Sequence, residues 1–143
     1  MATDTQGSVA RSYPTQQILY LRKDFTFLSA NGPTTALAVD NIVIGTVPAG
    51  ALICKAISGV NVDVAFNAGT NNLIDIGSAA TRNLLSSGAS LASIAFVALA
   101  ATIIETFTVD TVLAFKLNTT GTSATTGKGS VIIAYTLPDQ SMA

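Results

Sequence analysis

Oxygen donors crowd one short stretch of the chain. Asp63, Asn67, Asn71, Asn72 and Asp75 fall within AFNAGTNNLIDIG and the strand-like run before it. Hard cations take such ligands. A calcium loop, however, carries more carboxylates and a D-x-D-x-D-G spacing, and neither is present. Asp63 and Asp75 also bracket a turn, where two carboxylates facing each other across a hairpin would suit glycoside hydrolysis. That chemistry needs aromatic platforms for sugar, and the chain has no Trp and three Tyr. The reading favoured by the residues is structural. Asn and Gly accept the positive φ of tight hairpin connections, so Asn67 to Asn72 is expected to be a turn between two strands.

Other candidates for chemistry are weaker. The chain has no histidine, which removes the commonest general base and metal ligand. Ser90, in Gly88-Ala89-Ser90-Leu91-Ala92, is set loosely like a nucleophile elbow but has no base to activate it. Gly121 to Gly127-Lys128 resembles a phosphate loop with one residue too many between the glycines, and Gly129 where Ser or Thr belongs. The single cysteine, Cys54, forms no intrachain disulfide and is expected on the apolar face of its strand as an inert thiol. No catalytic residue, metal ligand or cofactor is expected.

The elements that would position these residues read as β. QQILYLRKDFTFLSA and TALAVDNIVIGTV have strand-like spacing, the second with a kink at Asp40-Asn41. Pro48-Ala49-Gly50 is a turn. In LICKAISGVNVDVAF the period of two places Leu52, Cys54, Ala56, Ser58, Val60, Val62, Val64 and Phe66 on the core face. Lys55, Asn61 and Asp63 lie opposite, and Gly59 marks a bulge or bend. LASIAFVALA is compatible with helix or strand. TIIETFTV, VLAFKL and SVIIAYTL are strands, the last with Val131, Ile133, Tyr135 and Leu137 on one face. A polar loop from Asn118 to Gly127 separates the final two. This gives an all-β chain, a β-sandwich or jelly roll of roughly eight strands. Residues 1–17 are expected to be an extended N-terminal arm, 18–137 the sandwich domain and 138–143 a C-terminal tail.

Composition narrows the function. Charged residues make up 10% of the 143, where ~25% is usual. Thr, Ser, Asn and Ala take their place. Depletion of charge is a feature of interface cores, so the chain is expected to assemble with partners. Net charge is −1 and the basic residues are scattered, which argues against nucleic acid. MATDTQG lacks the positive and apolar regions of a signal peptide, and no apolar run approaches the ~20 residues of a membrane span. Synthesis in a cytoplasm, away from membranes, is expected.

The run TVPAGALICKAISGVNVDVAFNAGTNNLIDIG, Thr46 to Gly77, resembles stretches in small structural proteins of tailed bacteriophages. In those, a V/I-P-A-G-A turn feeds a strand and then an A-F-N-x-G-T turn. The final strand-loop-strand, VLAFKL to SVIIAYTL, is also similar. Within that group the chain looks like a jelly-roll cement or decoration protein, as on Bordetella-type phage heads. The resemblance implies binding to the outside of a capsid built from a major capsid protein. It also implies dimers or trimers at symmetry axes, and it carries no catalytic residues. Arg11, Tyr13, Arg22 and Lys23 are the candidates for capsid contact, with strand edges and the arm open to β-augmentation. A tail- or fibre-associated virion protein is the alternative within that class. A β-sandwich carbohydrate-binding module is the alternative outside it, and an enzyme stands behind both.

Overall fold

The computed structural model describes residues 18–31, 38–99 and 104–137. They form a sandwich of two antiparallel sheets. Ten strands build it: β1 (Ile18–Thr26), β2 (Ala38–Val47), β3 (Leu52–Cys54), β4 (Gly59–Val64), β5 (Asn71–Ser78), β6 (Ser86–Ser90), β7 (Ala95–Ala98), β8 (Ile104–Thr106), β9 (Thr111–Thr120) and β10 (Lys128–Thr136). One helical turn, α1 (Phe27–Asn31), follows β1. It replaces the end of the expected first strand.

One sheet runs β2-β9-β5-β6. In the other, β10 pairs with β1 on one side and with both β3 and β4 on the other, while β7 and β8 border β4 and β3. β3 and β4 thus occupy one strand position, and β7 and β8 the next. Counted by position, this is the eight-place jelly roll expected from the sequence, with two places broken in half.

The break between β3 and β4 has a consequence for side-chain direction. Ile53 stands opposite Tyr135 and Gly59 opposite Ile132, so six steps on one strand match three on β10. A 3₁₀ turn, Lys55–Ile57, takes up the three extra residues. An odd insertion reverses the alternation. Ile53 is therefore buried before the turn, Lys55 at its first residue, and Ser58, Val60 and Val62 after it. The expectation of one continuous even-numbered core face is corrected for its first half: Leu52 is exposed, Ile53 takes the core position, and Ala56 is exposed. Val64 is also exposed, at the strand's end. The Ser58 hydroxyl closes the turn. It donates to the Cys54 carbonyl at 2.7 Å and accepts the Ala134 N–H at 2.8 Å.

Elsewhere the pattern holds. β2 shifts register between Val39 and Ile42, at the expected kink. Pro48 to Ala51 turns the chain, with Gly50 at φ 80° and the Ala51 N–H on the Pro48 carbonyl. Val131 and Ile133 of β10 are fully buried. The ambiguous LASIAFVALA resolves as strand over β7, because it pairs with Gly59 to Val62. Phe25, Phe66 and Phe115 fill the middle of the core, with ring centroids 5.8 Å and 5.2 Å from Phe25. Gly59 is needed there for close approach: a Cβ would lie 2.2 Å from the Val97 carbonyl oxygen of the neighbouring strand.

Candidate functional site

The oxygen-rich stretch is a clasp between the two sheets. Asn67 to Thr70 does not close a hairpin. It carries the chain from β4, in one sheet, to β5, in the other. Asp63 and Asp75 therefore belong to different sheets and do not face each other across a hairpin. Asp63 accepts from the Asn61 amide at 2.6 Å. Asp75 accepts the Gly88 N–H at 2.6 Å through one oxygen and the Asn118 amide at 2.5 Å through the other.

The asparagines act as backbone mimics, the local role that suits their short amides. Asn72 pairs with both polar groups of Ala68, accepting its N–H at 2.8 Å and donating to its carbonyl at 3.1 Å. Asn67 reaches the opposite loop. Its oxygen accepts the N–H groups of Thr125 and Thr126 at 2.8 and 3.0 Å, and its amide donates to the Thr125 hydroxyl at 2.9 Å. Thr126 adds a bond from its own hydroxyl to the Ala65 carbonyl at 3.0 Å. Asp63, Asn67, Asn72 and Asp75 are thus engaged in hydrogen bonds within the protein. Among the described residues, no three His, Cys, Asp or Glu side chains converge on one point.

The remaining chemical candidates are dispersed. Ser90 ends the edge strand β6, and its hydroxyl accepts the Ala92 N–H at 3.3 Å. Cys54 is half-buried in the row opposite Ile53, not on the core face where its expected inertness placed it. The Gly121–Gly127 segment is pinned by Asn67, and Gly127, at φ 145°, lies against the Phe66 ring.

What the molecule does present is apolar surface. Alternation and register put Ile18, Thr136, Leu52 and Thr106 in one outward row across the six-stranded sheet. Tyr20 stands beside Ala134, and Phe96 beside Asn61. Ile18, Tyr20, Leu52 and Phe96 are 45%, 59%, 39% and 48% exposed. Further exposed apolar side chains, Leu28, Val64, Leu84 and Val109, cluster around the loops. Sequence reasoning missed Leu52 and Val64, which it had placed in the core. Of the contact candidates, Arg22 and Lys23 are exposed on β1. The Arg22 guanidinium bonds Asp24 at 2.9 Å, which holds its pKa above the ordinary arginine value. Arg11 and Tyr13 lie outside the described residues, as do the expected arm and tail.

No described helix is long and apolar enough to cross a membrane. No protein-family model matches the chain, and no curated protein matches it. Among solved structures, a chain of the cyanophage Pam1 capsid asymmetric unit is similar, with 20% identity over 85% of this chain and 84% of that one, at a TM-score of 0.48. At that identity and score, the likeness assigns neither a family nor a function.

Proposed function

We propose that this chain is a virion structural protein that binds the outer surface of a tailed-phage capsid and stabilises it by bridging major capsid protein subunits. The observation that carries the reading is the set of uncovered apolar side chains on the outer face of the six-stranded sheet, Ile18, Tyr20, Leu52 and Phe96, which share that face with Arg22, Asp24, Asp63 and Lys128. A free monomer rarely keeps such a face open, because burying it is worth roughly 25 cal/mol per Å². The resemblance of Thr46 to Gly77 to phage structural proteins supplies the partner class. Work against internal DNA pressure asks for buried area rather than chemistry, and none of the candidate catalytic residues is assembled into a site.

The mode of attachment follows from the edges. Among the described residues β1 pairs with β10 alone, over nine consecutive residues with no register shift, so its other edge has no described strand beside it and suits an added strand. Arg22 and Lys23 on this strand, with Arg11 and Tyr13 before it, are the proposed capsid contacts. Self-association as dimers or trimers and repetition over the lattice then multiply weak contacts through avidity.

Quantitative mass spectrometry of purified virions tests this. The expected ratio to the major capsid protein is one to one or a simple fraction of it. A few copies per particle would move the chain to the tail or a vertex. Absence from virions would overturn the reading.

A further inference from the structure

At one end of the sandwich a groove of about 360 Å³ opens between the start of α1, the end of β4 and the last loop. Phe27, Leu28, Val64, Thr126, Gly127 and Lys128 line it. Leu28 is 65% exposed and Val64 44%. The hydroxyls of Thr125 and Thr126 are already bonded, to Asn67 and to the Ala65 carbonyl, so the threonines offer mainly methyl groups.

The walls are fixed before anything binds. The Phe27 N–H donates to the Gly127 carbonyl at 3.0 Å, joining α1 to the loop. Asn67 holds Thr125 and Thr126 from the other side. Gly127 rests on the Phe66 ring, where a Cβ would come within 2.6 Å. A preformed groove of this kind spares the ordering cost of binding. The Asn67 motif acquires a purpose beyond turn-making: it positions the groove wall.

One charge lines this apolar site. Among the described residues Asp24 is taken by Arg22 and the nearby Asp63 is engaged by Asn61, so the Lys128 ammonium has no acid partner among them. The occupant must therefore bring an apolar side chain for Leu28 and Val64 and a carboxylate for Lys128. We infer that this groove docks an acidic-apolar polypeptide segment of the neighbouring capsid subunit, a second contact independent of the β1 edge. The inference rests on the proposed function.

The experiment measures binding of the full chain to capsid shells assembled without it, with Val64→Asp, Leu28→Asp and Lys128→Glu as variants. Each variant replaces an exposed side chain, and unchanged melting temperatures show that they fold. Val64→Asp or Leu28→Asp should weaken binding by at least ~tenfold, since each puts a carboxylate where the occupant's apolar side chain would sit and competes with its carboxylate for Lys128. Lys128→Glu should weaken it by ~fivefold and flatten its salt dependence. Failure of the wild-type chain to bind shells would remove the proposed function and this inference with it. Wild-type binding with unaffected Val64→Asp and Leu28→Asp variants would overturn the groove alone. An unaffected Lys128→Glu would overturn the acidic partner. A change in the oligomeric state of free Val64→Asp would make the occupant a second copy of this chain, and also overturn the inference.

Discussion

Asp75 shows how a residue chosen for one chemistry serves another. Its two oxygens take a backbone N–H from β6 and a side-chain amide from β9, so it ties three neighbouring strands of one sheet. Asp75→Ala leaves both donors without a partner and should cost ~1–3 kcal/mol in urea unfolding. Asp75→Asn should cost less, because the Asn118 amide can turn over and offer its oxygen to the new NH₂ group. Equal losses in the two variants would show that the charge, not the hydrogen bonds, matters. The same residue-level reading explains the dense asparagines: the crossover from β4 to β5 and the loop between β9 and β10 leave N–H groups without ladder partners, and Asn72 and Asn67, respectively, supply acceptors.

At the scale of elements, the 3₁₀ turn between β3 and β4 decides which side chains are core and which are surface. The three-residue insertion against β10 makes a sharp comparison possible. Ile53→Ala should lose ~2–5 kcal/mol, the usual cost of truncating a fully buried aliphatic side chain. Leu52→Ala, one residue earlier and exposed, should lose less than ~1 kcal/mol. Chemical denaturation of the two variants checks this, and a larger loss at Leu52 would mean that the strand sits in the opposite phase. The alternation in the sequence pointed to Leu52 because it was read as one unbroken strand. Period two carries no mark of where an odd insertion falls. The kink at Asp40-Asn41 was legible, in contrast, because turn-forming residues interrupt a β-branched run there.

For the whole molecule, Asp63, Asn67, Asn72 and Asp75, which could attract a cation, are engaged in hydrogen bonds within the protein. EDTA should leave the melting temperature of the protein unchanged. A clear drop that Ca²⁺ restores would reinstate an ion at Asp63, Asn67, Asn71, Asn72 and Asp75. The sandwich from Ile18 to Thr136 closes through the pairing of β1 with β10. Removal of residues 1–17 should therefore leave a chain with the β-sheet circular dichroism of the full protein, but with weaker binding to capsid shells. Unfolding of the truncated chain would sink the division into arm and domain. Unchanged binding would take the arm, with Arg11 and Tyr13, out of the contact.

The features legible along the chain are local. They are the alternation of strands and turns, the all-β class, the breaks at Pro48 and near Asn67, the buried pair Val131 and Ile133, and the poverty of charge. Each of these depends on neighbours within a few residues. The tertiary structure alone decided the rest. The stretch Ala95–Ala98 is a strand because Gly59 to Val62 lies beside it. Asp63 and Asp75 part into different sheets because the chain crosses the sandwich between them. The groove at Lys128 exists because Thr26 and Val64, far apart in sequence, both flank it in register. Burial and pairing are properties of partners distant along the chain, and a periodicity read along one segment does not contain them.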